Sequence, residues 1–145
     1  MKRFLLIAAL VSSLCVNAQN NPLWTRFCAI SPDGETIVFS YKGDLFTVAT
    51  KGGNAHQITS NAGYDAYPVW SPDGSRIAFA SAREGSLDVY IVNRTGGIPN
   101  RLTTHSGDET PLCFLDDNTV AFEANMMPTS KSMYAQPHSE HSRLH

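Results

Sequence analysis

Short runs of apolar residues alternate with clusters of turn-forming residues between Trp24 and Phe122. The clearest run covers 76–81, where Ile77 and Phe79 alternate with Ala78 and Ala80. Successive side chains of a strand point to opposite faces, so this strand is apolar on both. A strand with one solvated face would alternate apolar and polar residues. The pattern therefore predicts a sheet that is covered on both sides.

This run and the turn before it are repeated along the chain. The turns at 31–34 and 71–74 both read Ser-Pro-Asp-Gly, and a Gly-Gly pair follows at 52–53 and at 96–97, which gives a period of 40 to 44 residues. A third copy covers 111–122. A repeat of this length, built from short strands, is typical of β-propeller blades.

The repeats predict an all-β chain: a partial β-propeller of two four-stranded antiparallel blades plus the start of a third. Each Ser-Pro-Asp-Gly segment suits a turn, because Pro presets φ, Asp bonds back to the backbone and Gly accepts a positive φ. In the third copy Phe114 and Leu115 replace Ser-Pro, and Asp117 takes the Gly position, where Asp tolerates a positive φ. Past Asn125 the pattern stops.

The sequence predicts a secretory signal peptide over 1–18 and a lead-in strand over 19–30. Blade 1 is predicted over 31–66, blade 2 over 67–110, a partial blade 3 over 111–127 and an irregular tail over 128–145. Closed propellers generally need four to eight blades. We therefore expect the chain to be a truncated product or a fragment of a longer one.

The first residues have the composition of an export signal. Lys2 and Arg3 precede a short apolar run, and small residues lead to an expected cleavage after Ala18. The run is too short for a stable membrane span. A buried N-terminal helix and lipid attachment at Cys15 are the alternatives. Export predicts a periplasmic or secreted protein.

Composition narrows the chemistry further. The formal net charge is −2 with no basic face, so nucleic acid is not an expected partner. Cys28 and Cys113 belong to different repeats, so we expect two buried free thiols rather than a disulfide. Neither has a Cys-x-x-Cys context for metal or redox chemistry.

Each candidate site residue has a structural interpretation that is simpler than a catalytic one. Asp33 and Asp73 are expected to build turns rather than to perform acid–base chemistry, and Asp44 and Asp88 are expected at turn ends. Trp70 is expected to pack beside an inner strand rather than to line a channel.

The hydroxyl and imidazole groups are interpreted in the same way. Ser71 lacks the Gly-x-Ser-x-Gly context of a nucleophile. The tail histidines have no scaffold that would hold them in the geometry of a metal site; they are His138, His141 and His145. The other two histidines, His56 and His105, have no acid or nucleophile partner in view. We expect no catalytic, cofactor-binding or metal-binding residue in this chain, and no cofactor.

The repeat resembles that of TolB-type, WD-like β-propellers over roughly residues 23 to 125. The matching positions run from a Pro-x-Trp-Ser-Pro-Asp-Gly core to a closing Leu-Thr: Pro68, Trp70, Ser71, Pro72, Asp73, Gly74, Ile77, Ala78, Phe79, Tyr90, Val92, Gly96, Gly97, Leu102 and Thr103. The Leu-Trp-x-Arg segment at 23–26 and the Ala-Ile-Ser-Pro-Asp-Gly segment at 29–34 resemble secreted bacterial homologues of tricorn protease.

The tricorn resemblance implies a non-catalytic propeller segment of an exported serine protease, which gates peptide substrates or binds proteins. Whether the parent is an enzyme depends on a peptidase domain that would lie downstream. The implied partners are peptides, or proteins such as the missing blades or that peptidase domain. The alternatives are a TolB-like periplasmic binding scaffold without protease activity, and the propeller cap of a prolyl-oligopeptidase-like enzyme.

Overall fold

The computed structural model describes residues 24–125 and 131–135. Every regular element of this part of the chain is a β-strand, and the eleven strands form three antiparallel sheets. We call the sheets blades 1, 2 and 3. The fold is a partial β-propeller, which confirms the predicted fold class.

Blades 1 and 2 each contain four strands in chain order. The strands of blade 1 are β1 (Thr25–Ile30), β2 (Thr36–Tyr41), β3 (Asp44–Ala49) and β4 (His56–Gln57). Those of blade 2 are β5 (Asp65–Trp70), β6 (Arg76–Glu84), β7 (Ser86–Asn93) and β8 (Asn100–Arg101). The two-residue fourth strands are short and carry polar residues, which limits pairing with other chains.

Blade 3 contains β9 (Glu109–Asp116), β10 (Thr119–Ala124) and β11 (Lys131–Ala135), in the order β11-β10-β9. The β11 strand corrects the prediction of an irregular tail over 128–145. Its register runs from Val120 opposite Ala135 to Ala124 opposite Lys131. Sequence analysis missed this strand because the third copy lacks the turn and Gly-Gly signals that mark the other two.

The strand over Thr25–Ile30 is the first strand of blade 1, where it pairs with β2. The predicted lead-in strand is therefore present over 25–30, but it is part of blade 1 and does not precede it. Blade 2 begins the same way, with β5 paired to β6. In both blades the repeat thus starts before the Ser-Pro-Asp-Gly turn, because that turn connects the first two strands.

The Ser-Pro-Asp-Gly turns hold β1 to β2 and β5 to β6. In blade 2 the Ser71 hydroxyl donates a hydrogen bond to Asp73 Oδ1 at 2.6 Å and accepts one from the Arg76 amide at 2.9 Å. Gly74 has φ +67°, a conformation that Gly adopts without strain. Blade 1 repeats these contacts with Ser31 and Asp33. Both turns are formed as predicted.

The third copy departs from this geometry. Phe114 pairs with Val120, as Trp70 pairs with Ile77, so Phe114 occupies the position of Trp70 rather than that of Ser71. Asp116 pairs with Thr119, which leaves a two-residue turn. Asp117 does not have a positive φ. The expected substitution of Asp117 for Gly was therefore wrong, because this turn is shorter.

Two apolar junctions hold the blades together. The junction between blades 1 and 2 is formed by Ala29, Val38, Leu45, Ile58, Trp70, Ile77, Phe79, Tyr90 and Val92. The junction between blades 2 and 3 is formed by Val69, Ala78, Val89, Leu102, Phe114, Val120, Phe122 and Ala124. Phe79 and Ala78 are both fully buried and face opposite junctions. Blade 2 is covered on both sides, as the alternation at 76–81 predicted.

Candidate functional site

The first strands of the three blades lie beside one another. Contacts link β1 to β5 and β5 to β9. We call β1, β5 and β9 the inner strands, because in a propeller the strands that meet in this way surround the central channel. Side chains exposed on the inner strands are the natural candidates for contact with a ligand that enters the channel.

Two aromatic residues occupy the same unusual position on β1 and β5. Both of these strands have a β-bulge, between Arg26 and Ala29 in β1 and between Ala66 and Val69 in β5. Phe27 and Tyr67 lie in these bulges. A β-bulge re-aims the side chain of its extra residue.

Phe27 has φ +48° and Tyr67 has φ +54°. A positive φ is rare for bulky residues, and such strain is concentrated at ligand-binding and catalytic sites. The two rings lie 4.2 Å apart between centroids, and Tyr67 is 40% exposed. We call Phe27 and Tyr67 the inner aromatic pair.

The inner aromatic pair does not extend into blade 3. The register places Pro111 at the position of Tyr67, since Thr110 pairs with Glu123 as Ala66 pairs with Ala80. The proline ring fixes φ near −65°, which excludes the positive φ of the other two blades. Pro111 is buried, whereas the next residue, Leu112, is 49% exposed. Blade 3 therefore has a buried proline at the position of the inner aromatic pair and the exposed, aliphatic Leu112 next to it.

Sequence analysis did not select the inner aromatic pair. The signal was available, because Phe27 and Tyr67 each stand four residues before the first Ser of a Ser-Pro-Asp-Gly turn. The Ser-Pro-Asp-Gly turns are the most similar part of the two copies, and the strand before each turn is less similar in sequence.

A buried acidic residue opens each of the second and third inner strands. Asp65 is fully buried and forms an ion pair with Arg83, whose Nη2 lies 3.2 Å from Asp65 Oδ1. The Arg83 guanidinium also lies over the Tyr90 ring, 4.4 Å from its centroid. Asp65 is thus neutralised inside the junction between blades 1 and 2.

Glu109 is the corresponding residue of β9, and its environment is less complete. It is 1% exposed, and neither carboxylate oxygen has a hydrogen-bond partner. His105 Nδ1 lies 3.6 Å from Glu109 Oε1. Burial raises the pKa of Glu109, and the nearby Asp88 carboxylate acts in the same direction, while Thr103 and His105 oppose it.

Two expectations are corrected at this position. Asp88 is fully buried within β7 and accepts a 2.7 Å hydrogen bond from Arg101, so it is not a turn-end residue. His105, which was expected to have no acidic partner, faces Glu109. Asp88 and Arg101 lie on the adjacent strands β7 and β8 of blade 2, and His105 lies four residues before Glu109 in the connection from blade 2 to blade 3.

The other candidates have the structural roles that were expected. Asp33 and Asp73 build turns, and hydrogen bonds from Ser71 and Ser75 lower the pKa of Asp73 to about 2. Trp70 is buried in a junction and its Nε1 donates to the Ala29 carbonyl. The Ser71 hydroxyl is engaged in its turn. Asp44 accepts hydrogen bonds from Gln57 and Asn61.

The cysteines differ in part from expectation. Cys28 on β1 and Cys113 on β9 are free, as predicted, but both are exposed rather than buried. Each lies on an inner strand next to a shift in strand register. His56 lies on the edge strand β4. His138, His141 and His145, Cys15 and the predicted signal peptide lie outside the described residues.

Within residues 24–125 and 131–135, no three His, Cys, Asp or Glu side chains are grouped as metal ligands. The same residues contain no helix with the length and hydrophobicity required to span a membrane.

Comparison with known proteins identifies the repeat. The family model described as the tricorn protease N-terminal beta propeller domain matches residues 22–138. Tricorn protease homolog 1 of Streptomyces coelicolor is 32% identical over 82 residues, which cover 57% of this chain and 8% of that protein. A TolB homologue of Chlorobium luteolum is 38% identical over 58 residues, which cover 40% of this chain and 13% of that protein.

The crystal structure of TolB from Acinetobacter baumannii has the same fold, with a TM-score of 0.71, 19% identity, and coverage of 82% of this chain and 31% of that one. An identity this low shows the fold alone. The chain spans 8% and 13% of the two relatives.

Proposed function

Because this chain belongs to the family of the tricorn protease N-terminal β-propeller domain, we propose that it is a non-catalytic propeller segment of an exported, tricorn-like serine protease. Its role is to admit or select peptide substrates, or to bind protein partners, through the surface of the inner strands. The peptidase chemistry belongs to another part of the parent protein.

The inner aromatic pair is the observation that carries this proposal. Phe27 and Tyr67 are held at positive φ in equivalent bulges, and Tyr67 remains 40% exposed. Aromatic rings offer a large apolar contact area, and the Tyr hydroxyl adds a polar group. Such a surface suits an extended peptide whose sequence varies, because the contacts do not depend on one particular side chain.

The serine chemistry of the repeat supports a non-catalytic role. Ser71 donates to Asp73 and accepts from the Arg76 amide, and Ser31 makes the equivalent contacts. A catalytic serine needs a base within hydrogen-bond reach to accept its proton. Here each serine instead closes a turn, so the repeat explains both residues together.

The decisive test is to read the adjoining genomic sequence in all frames. Further blades followed by a serine peptidase domain would support the proposal, whereas an adjoining sequence that encodes neither would reject it. An α/β-hydrolase domain downstream would instead identify a prolyl-oligopeptidase-like cap.

The role of the inner aromatic pair can be tested in the protein that this reading frame encodes. Tyr67→Ala is expected to change KM for long peptides about tenfold and to leave kcat for a short chromogenic peptide unchanged, because a residue that contacts only the incoming chain does not touch the reacting atoms. Ile98→Ala is the matched control, since Ile98 is 93% exposed and lies between β7 and β8, away from the inner strands.

A TolB-like binding scaffold is the second candidate. The 38% identity to a TolB homologue and the fold shared with TolB favour it. Under this alternative the reading frame contains further blades and no peptidase, and the inner strands bind protein partners. The same genomic reading therefore separates the two candidates.

A further inference from the structure

A cleft opens beside the first inner strand, at the end of the molecule opposite the Ser-Pro-Asp-Gly turns. Its cavity volume is about 470 Å³, and it is lined by Trp24, Arg26, Ser40, Lys42, Gly43 and Tyr64. Trp24 and Tyr64 are 64% and 43% exposed, so aromatic rings stand open to solvent there. We call this cavity the Trp24 cleft.

The floor of the Trp24 cleft is fixed by hydrogen bonds between blades 1 and 2. The Ser40 hydroxyl donates to the Asp65 carbonyl at 2.8 Å, and the Asp65 amide donates to the Gly43 carbonyl at 2.8 Å. The Ala82 amide donates to the Tyr64 carbonyl at 3.0 Å. The backbone beneath the cleft is therefore held in place before any ligand arrives.

Two cations of the cleft have no carboxylate partner within the described residues. The Arg26 guanidinium lies over the Trp24 ring, 5.9 Å from its centroid, and Lys42 Nζ lies 5.3 Å from the centroid of Tyr41. The two acidic residues that adjoin lining residues in sequence have other hydrogen-bond partners. Asp65 pairs with Arg83, and Asp44 accepts hydrogen bonds from Gln57 and Asn61.

The repeat itself does not require these cations. The residue of blade 2 that corresponds to Arg26 is Ala66, since Arg26 pairs with Ser40 and Ala66 with Ala80. Lys42 has φ +53° in a two-residue hairpin, a position where Asn, Asp or Gly is preferred. A lysine at this position makes the hairpin less favourable, which indicates that its side chain has a use beyond the turn.

We propose that the Trp24 cleft binds a peptide carboxylate together with an adjoining apolar side chain. Arg26 and Lys42 would hold the carboxylate by charge-assisted hydrogen bonds, and Trp24 and Tyr64 would cover the apolar side chain. The carboxylate has two sources, a peptide C-terminus or an acidic side chain. Only the choice of peptides as ligands rests on the proposed function; the preference for a carboxylate does not.

The test measures the binding of four short peptides to the full chain by tryptophan fluorescence and by calorimetry. The probes are acetyl-Ala-Ala-Phe with a free carboxyl group, the same peptide as an amide, acetyl-Ala-Glu-Phe-amide and acetyl-Ala-Gln-Phe-amide. Trp24 is exposed and Trp70 is buried, so Trp24 is expected to report binding, and Trp24→Phe is expected to remove that signal.

We expect at least one carboxylate peptide to bind about tenfold more tightly than its neutral counterpart, since a charge-assisted hydrogen bond is worth about that factor. A preference for the free carboxyl terminus identifies the C-terminus as the source, and a preference for the Glu peptide identifies a side chain. The difference should shrink as salt is added.

Arg26→Gln and Lys42→Gln are each expected to weaken carboxylate binding about tenfold and to leave the neutral peptides unaffected. Lys51→Gln is the matched control, because Lys51 is an exposed lysine near the β3–β4 connection, outside the cleft. Circular dichroism of each variant confirms that it remains folded.

Equal binding of charged and neutral peptides, binding that Arg26→Gln and Lys42→Gln leave unchanged, or no binding at all would each overturn the proposal. None of these results bears on whether a peptidase domain follows in the reading frame. Failure of the cleft proposal and failure of the proposed function are therefore distinguishable.

Discussion

The junction between blades 1 and 2 and the junction between blades 2 and 3 have the same construction but neutralise their buried acid differently. Each has an apolar centre, with Phe79 in the first and Phe122 in the second. Each also has a buried acid at the start of an inner strand. Asp65 is paired with Arg83, whereas Glu109 has His105 at 3.6 Å and no hydrogen-bond partner.

The difference shows which properties the repeat fixes. Ser81 pairs with Asp65 and Ala124 pairs with Glu109, so the backbone buries both acids in the same register. Arg83 stands two residues after Ser81, while the sequence has Met126 two residues after Ala124. The repeat therefore fixes the burial of the acid, and single residues decide whether its charge is compensated.

The largest expected effect tests what the junctions share. Phe79→Ala and Phe122→Ala should each lower the free energy of unfolding by about 4 kcal/mol, because a fully buried ring is lost and a cavity remains. Urea denaturation of the two variants measures both values. If one variant costs less than half of the other, the two apolar centres are not equivalent.

The next effect tests the compensated acid. Asp65→Asn should lower the free energy of unfolding by about 3 kcal/mol, because Arg83 is left without its counter-charge in a largely buried position. Urea denaturation near pH 7 measures it.

The double variant Asp65→Asn with Arg83→Met is the control for this ion pair. It removes both charges, so it should be more stable than Asp65→Asn alone. A double variant that is less stable than the single one would contradict the assignment of Arg83 as the group that neutralises Asp65.

The smallest expected effect concerns Glu109, the acid without a counter-charge, and here the substitution is expected to stabilise the chain. Glu109→Gln should raise the free energy of unfolding by about 1 kcal/mol near pH 7, because it removes a buried carboxyl group whose ionised form has no hydrogen-bond partner. The thermal midpoints of the variant and the parent chain, compared in one buffer, give the measurement.

The pH dependence provides the control for Glu109. Its pKa is raised in the folded state, so between the unfolded value of 4.5 and the higher folded value the folded chain holds a proton that the unfolded chain has lost. Stability should therefore fall as pH rises from the unfolded value of 4.5 through the higher folded value. Glu109→Gln should lack this decrease, and an unchanged slope would contradict the assignment.

The turn carboxylate Asp73 acts in the opposite direction and in a separate pH range. Its pKa is lowered to about 2, so its contribution is present above the unfolded value of 3.8 and is lost as pH falls through about 2. The decrease in stability attributed to Glu109 lies above this range and can be measured without it.

Much of the fold could be predicted from the sequence, and the misses have physical causes. The alternation at 76–81 correctly predicted a strand covered on both faces, and the turn at 71–74 was correct in detail. The β11 strand was not predicted, because the turn and Gly-Gly signals of the other two copies are absent from the third copy. Phe114 was matched to Ser71, whereas it occupies the position of Trp70, because the turn after it is shorter than in the other copies.

The candidate site could be predicted only in part. The structural roles of Asp73 and Trp70 follow from their neighbours in the repeat, and these expectations are consistent with the contacts observed. The equivalence of Phe27 and Tyr67 was present in the repeat, but their ring contact and the shape of the Trp24 cleft were not, because both depend on how the segments pack in space.

The sequence by itself determined the strands, the turns and the direction of each apolar face, because hydrogen bonds between near neighbours and the two-residue alternation of a strand are local. Only the tertiary structure decided which residue meets which across a junction: the Phe27 ring against Tyr67, Trp70 Nε1 at the Ala29 carbonyl, and the Ser40 hydroxyl at the Asp65 carbonyl. These contacts depend on how one twisted sheet lies against the next, and no short stretch of sequence contains that information.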